Sequence, residues 1–183
     1  MKIKSLMVVS LLCGFLMLSV IPSVFAQSTF QIDTANSRIW VEGSSTLKDW
    51  TAEVNDWEGS IVTKEDGTVE SVSVKLSVKS MDGGRGPDMN AKIYKALKAE
   101  QQPTIEFNGE GTGDGLATTG AFKMAGQEKE ITLAPTGTLA SGLKGNHAMK
   151  LSDFDIEPPT ALFGTIVTYD DVSIVFDITL LKK

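Results

Sequence analysis

Between Ser71 and Lys79 the chain alternates without a fault: Val72, Val74, Leu76 and Val78 are separated by Ser71, Ser73, Lys75, Ser77 and Lys79. Residues two apart share one face of a strand, so the four aliphatics fall on one side and every polar group on the other. A helix would scatter them around its circumference. The segment therefore reads as a half-buried antiparallel strand. The pattern returns near the C-terminus with Val172, Ile174, Phe176, Ile178 and Leu180, although Val175 and Leu181 make that outer face more apolar. Weaker matches occur at 30–33, 37–43, 49–63, 104–111, 116–124, 128–139 and 143–151. Asp66-Gly67, Asp114-Gly115, Ala125-Gly126 and Ser141-Gly142 separate strand-like runs with residues that suit hairpin turns. About eight strands paired in sequential antiparallel order predict an all-β fold. A single closed barrel accounts for them best because it leaves no free edges, and a two-sheet sandwich is the alternative.

One segment breaks the alternation. Asp82-Gly83-Gly84-Arg85-Gly86-Pro87 cannot continue a strand, and helical spacing follows it, with Met89, Ile93 and Leu97 recurring every four residues. Gly86 or Asp88 suits the cap and Pro87 the first helical position, while Lys92, Lys95 and Lys98 face elsewhere. Pro103 limits the helix, and Thr104 to Phe107 returns to strand alternation. The expectation is one short α-helix near residues 88–98, set against an end of the barrel as a lid.

The N-terminus reads as a targeting segment. Lys2 and Lys4 precede an apolar run from Leu6 to Ile21, and Val24-Phe25-Ala26 offers the small residues of a cleavage site, placing the cut after Ala26. Residues 1–26 are thus a secretory signal peptide and residues 27–183 one β-barrel domain. Ser10, Gly14, Ser19 and Pro22 interrupt the apolar run, which argues against a retained anchor, and Leu12 before Cys13 argues against a lipoprotein. Export places the mature protein in a periplasm, with secretion beyond the cell as the alternative. The formal net charge is −6, and the leader holds two of the basic residues and none of the acidic ones, so the mature chain is more acidic still. This charge argues against nucleic acid and against anionic membrane surfaces as partners, since both need a basic patch. Cys13 is the single cysteine, so the domain must hold through packing without a disulfide.

Catalytic chemistry finds few residues. His147 is the only histidine, and it sits in Gly145-Asn146-His147-Ala148-Met149 with no nucleophile elbow nearby, as an exposed strand residue would. No histidine pair is available to a transition metal, and Gly83-Gly84-Arg85-Gly86 is not followed by the Lys-Ser/Thr of a nucleotide loop. Asp153/Asp155 and Asp170/Asp171 are carboxylate pairs that a hydrolase could use, but such pairs are ordinary in acidic loops. Asp153 to Glu157 lacks the glycine of a known calcium loop. No enzyme activity, metal or cofactor is expected.

The order of motifs resembles the YceI-like family of exported bacterial proteins. The resemblance rests on Phe30-Gln31-Ile32-Asp33 with Asn36-Ser37-Arg38-Ile39, on Ser80-Met81-Asp82 and Arg85 before the helix, and on Gln102-Pro103-Thr104-Ile105-Glu106-Phe107 after it. It continues through Gly120 to Gly126 and ends with Leu151-Ser152-Asp153-Phe154-Asp155-Ile156. The resemblance implies a lipocalin-like barrel whose apolar interior holds a long-chain lipid, a polyisoprenoid or a fatty-acid derivative. Two departures bear on the head group. Ser44 to Trp50 has no histidine where many relatives carry one, and Gly86-Pro87 separates Arg85 from Asp88.

An eight-stranded barrel either fills itself with side chains or holds one small ligand. The apolar stripes serve as core in the first case and as lining in the second. Under the ligand reading the strands contribute Ile39, Trp50, Val74, Leu76, Phe107, Phe122 and Phe176. The loop and helix contribute Met89, Ile93, Tyr94 and Leu97, with Arg85 meeting an anionic head group. Trp50 and Trp57, seven apart, fall on opposite faces of an unbroken strand. The expected function is a carrier that sequesters a long-chain lipid or isoprenoid, with no integral membrane span in the mature chain and a homodimer as one assembly. The alternatives are an interaction module with a filled barrel, using the outer face Val175/Leu181, and a hydrolase using acidic residues.

Overall fold

The computed structural model describes residues 28–182. The leader and the cleavage after Ala26 lie outside the described residues. In chain order the strands are β1 (Ser28–Ile32), β2 (Arg38–Ser45), β3 (Trp50–Val54), β4 (Trp57–Thr63), β5 (Val69–Ser77) and the short β6 (Met81–Asp82), followed by helix α1 (Pro87–Ala96). After it come β7 (Thr104–Gly111), β8 (Thr118–Met124), β9 (Gln127–Leu133), β10 (Thr136–Thr138), β11 (Gly142–Lys150), β12 (Thr160–Ala161), β13 (Ile166–Ile178) and β14 (Leu180–Lys182).

The all-β, antiparallel architecture with one helix is the one expected. The expected closure into a single barrel does not form: the strands make two sheets, with no hydrogen-bonded ladder joining them among the described residues. One sheet runs β14-β1-β4-β5-β7-β8-β9 and the other β10-β11-β13-β2-β3-β6, with β12 added to β13. There are more strands than the expected eight because long segments break where the chain passes from one sheet to the other. Asn55-Asp56 splits 49–63, which puts Trp50 in one sheet and Trp57 in the other; the unbroken strand assumed for them does not exist. Ala134-Pro135 splits 128–139, where proline has no N–H for a ladder.

The third break is a single residue. Thr179 donates its N–H to Ser37 Oγ at 2.8 Å, accepts from the Asp33 N–H at 2.9 Å, and donates its hydroxyl to the Asn36 carbonyl at 3.1 Å. This network satisfies the backbone groups that neither ladder can reach, so β13 turns into β14 without leaving a buried polar group unpaired.

Alternate residues of the two sheets face each other across the interior. Phe154, 2% exposed, packs against Phe122 edge to face at a centroid distance of 5.5 Å. The Ala125-Gly126 turn between β8 and β9 has positive φ at both residues (53° and 86°), which matches the twist of its flanking strands. Ala125 is itself buried.

Candidate functional site

The interior is not filled. A compartment of about 160 Å³ lies on the helix side and a second of about 110 Å³ lies distal to it. Ile39 of β2, Leu76 of β5, Ile105 of β7 and Ile174 of β13 line both, so the two meet at a waist built from both sheets. The result is one elongated apolar slot. An apolar cavity of about 150 Å³ stays dry and accepts an apolar guest, so the helix-side compartment is large enough for a stretch of hydrocarbon and the smaller distal one extends it.

Local sequence keeps the slot open. Gly43 pairs with Trp50 across β2 and β3, and a Cβ at Gly43 would come within 2.3 Å of the indole. The ring therefore rests over the missing side chain, with its Nε1 donating to the Ser44 carbonyl at 3.2 Å. Gly145 stands in the same relation to its cross-strand partner Phe176, and Gly109 to Phe107 two residues before it. Rings laid on bare backbone cover the wall without projecting far into the space between the sheets.

The helix covers the near end. Gly86 is its N-cap at φ 84°, a left-handed value that glycine adopts without strain, and Pro87 is its first residue. It stops at Ala96, earlier than expected and well before Pro103. Lys98 at φ 54° ends it, with the Ala99 N–H bonded to the Tyr94 carbonyl and the Lys98 N–H to that of Lys95. A lysine holds this position because its Nζ reaches the Ala125 carbonyl at 3.3 Å. Lys98 thus does not face away as its spacing suggested. Nor does Lys92, which lies at the rim of the helix-side compartment. Met89 and Ile93 are only half-buried, as residues facing a hollow rather than a packed core would be.

The loop before the helix is braced. Asp82 accepts the Gly84 N–H at 2.9 Å and the Asn90 amide at 3.1 Å, and Asn90 Oδ1 accepts the Gly83 N–H at 2.9 Å. These bonds, led by that from Gly84, hold the Asp82 carboxyl below its ordinary pKa. Arg85 projects from this loop at the mouth of the slot.

Of the residues named from sequence, Ile39, Trp50, Leu76, Arg85, Met89, Ile93 and Leu97 line the helix-side compartment. Val74, Phe107, Phe122 and Phe176 line the distal one. Tyr94 lines neither: its hydroxyl donates to the Met81 carbonyl at 3.0 Å, bracing the helix against β6. Sequence reasoning missed Met81, Met124 and Met149, whose flexible thioethers also line the helix side. Only their inward register could have flagged them.

His147 is the sharpest correction. It is half-buried and lines the distal compartment, and burial pushes its imidazole pKa below the ordinary value. Alternation from Leu143 through Gly145 to His147 and Met149 puts it on the inner face, a register visible in sequence once Leu143 is known to point inward. The acidic pairs do not converge on the slot. Asp170 accepts from Ser152, Asp171 pairs with Lys150, and Asp155 accepts from Gln127. Among the described residues no three His, Cys, Asp or Glu side chains gather where they could hold a metal.

Solved structures share this fold, among them BcnA of Burkholderia cenocepacia, which is 16% identical over 82% of this chain and 99% of its own, with a TM-score of 0.66. A polyisoprenoid-binding domain from Saccharophagus degradans, implicated in plant cell wall breakdown, is 13% identical over 84% of this chain and 98% of its own, with a TM-score of 0.61. The YceI protein of Campylobacter jejuni is 16% identical over 72% of this chain and 84% of its own, with a TM-score of 0.51. No curated protein matched by sequence. The family model described as a YceI-like domain matches residues 30–180, and the chain belongs to that family.

Proposed function

We propose that this protein is an exported carrier that sequesters a long-chain amphiphile, a polyisoprenoid or a fatty-acid derivative, with its chain in the slot and its head group at the helix-side mouth. The observation that carries this reading is the pair of apolar compartments joined at Ile39, Leu76, Ile105 and Ile174. Membership of the YceI-like family and the fold shared with a polyisoprenoid-binding domain support it. Burial supplies the affinity. Ten methylenes at about 0.8 kcal/mol each contribute roughly 8 kcal/mol, comparable to the cost of association, and a chain reaching both compartments adds the surplus. Arg85 and Lys92 at the mouth favour a phosphate or carboxylate head. Binding, not turnover, is the activity, and the leader directs the protein to the periplasm or beyond the cell.

Lipid extraction and native mass spectrometry of protein purified from its own host provide the test. A co-purifying long-chain species is expected. Protein that arrives empty and also fails to bind prenyl or acyl probes overturns the proposal.

A further inference from the structure

Six large apolar side chains stand exposed among the described residues, and five of them sit at one end of the molecule. These are Leu47, Leu162, Phe163, Val167 and Tyr169; the sixth, Leu181, lies elsewhere. Leu47 lies in the β2–β3 turn and Leu162 and Phe163 in the β12–β13 turn, while Val167 and Tyr169 stand near the start of β13, and the two turns are tied together. The Thr46 N–H donates to the Val167 carbonyl at 2.9 Å, and the Val167 N–H donates to Thr46 Oγ1 at 3.1 Å, so Leu47 of the β2–β3 turn stands beside the β12–β13 turn. Residues flanking both turns, Ser45, Thr160, Ile166 and Thr168, line the helix-side compartment. The apolar tip is therefore part of the rim of the slot.

Backbone conformation holds the tip outward. Leu162 and Phe163 have φ of 48° and 55°, followed by Gly164 at 86°, and the left-handed region is sparsely populated by bulky side chains. A turn serving only to connect two strands would carry asparagine or glycine there. Phe163 instead presents its whole side chain to solvent, at 111% relative exposure. Residues 160–169 contain no charge, in a chain of which 22% is charged. Arg85 and Lys92, which line the same compartment, are exposed cations.

An apolar tip whose 160–169 segment carries no charge, with an aromatic at its margin and exposed cations lining the same compartment, matches the layering of a bilayer surface. Leucine and phenylalanine enter the acyl boundary, tyrosine sits at headgroup level, and long basic side chains reach phosphates. We infer that this end of the protein docks on a lipid bilayer and turns the mouth of the slot towards the acyl chains. The purpose given to docking rests on the carrier reading; the docking itself does not. The negative net charge makes apolar insertion rather than electrostatic attraction the main contribution, so zwitterionic vesicles suffice.

The test is co-sedimentation with phosphatidylcholine vesicles in moderate salt, comparing the wild type, the double variant Leu162→Asn/Phe163→Asn and the control Leu181→Asn. Asparagine accepts the left-handed backbone, so the double variant keeps its fold. The wild type and Leu181→Asn are expected to bind, and the double variant to lose at least about tenfold in partitioning. Absence of wild-type binding overturns the inference, as does equal binding by all three. A wild-type dimer that the double variant dissociates, without vesicle binding, assigns the tip to a second copy instead and also overturns it. A fluorescent fatty acid titrated in vesicle-free solution separates the two proposals. Probe binding without vesicle binding leaves the carrier standing and removes docking; vesicle binding without probe binding does the reverse.

Discussion

Trp50 rests over Gly43, and a Cβ added there would lie 2.3 Å from its indole. The absence of one methyl group thus sets where the largest side chain of the slot wall can sit. In Gly43→Ala the ring must swing towards the compartment it now lines. We expect a stability loss of about 1–3 kcal/mol from the displaced packing, together with weaker binding of a prenyl or acyl probe. Thermal melts and probe titrations check both; unchanged probe affinity would show that the indole does not border the bound chain.

Gly145→Ala applies the same logic to the distal compartment, because a Cβ there would lie 2.5 Å from the Phe176 ring. If long chains reach past the waist, this variant should discriminate by length, weakening long probes while leaving short ones alone. A series of fatty acids of increasing length reads the effect. Equal weakening at every length would place no chain in the distal compartment.

The lid is open to a paired test. Ile93 and Leu97 line the helix-side compartment, whereas Val175 alternates with the slot-lining Ile174 and Phe176 on the other face of β13. Ile93→Asp and Leu97→Asp should release bound lipid at least about tenfold faster than the wild type, and Val175→Asp should not. Stopped-flow dissociation of a fluorescent probe measures this, and equal rates in all three variants would sink the lid.

Acid should act in two windows. The folded protein holds the His147 pKa below the ordinary 6.5 through burial, so the unfolded chain takes up the proton first. Stability is then complete above about pH 6.5 and falls as pH drops through the window below it. His147→Gln should remove this first loss. Asp82 and Asp170 are held below 3.8 by hydrogen bonds, from Gly84 and Ser152 respectively, so their contribution is present above that value and is lost in stronger acid. Urea denaturation from pH 7 down to about pH 2 spans both windows, and a wild type as stable at pH 5 as at pH 7 contradicts the first.

Phe154 is among the most deeply buried side chains, 2% exposed and edge-on to Phe122. Phe154→Ala should cost about 3–5 kcal/mol, measured by chemical denaturation. The loss should exceed that of Phe176→Ala, whose ring is only half-buried at the slot wall.

What was legible from sequence follows from what is local. Alternation at Val72 to Leu76 and the four turn dipeptides identify antiparallel strands because side-chain direction along a strand repeats every two residues, whatever surrounds it. Val78, next in the same alternation, instead opens a 3-10 turn over Val78–Ser80. Gly86-Pro87 and the Met89/Ile93/Leu97 spacing identify the helix for the same reason. Tyr94 shows the limit: its spacing sets it beside that stripe, but only the position of the Met81 carbonyl sends its hydroxyl away from the slot.

The sequence alone determined that this chain makes antiparallel strands, one capped helix and apolar inner faces. It could not decide whether those faces touch. That depended on where strands change sheets, at Asn55-Asp56, Ala134-Pro135 and Thr179, and on rings lying over Gly43, Gly109 and Gly145. Both are relations between residues far apart in the chain, and they turn a predicted core into a slot with His147 on its inner wall.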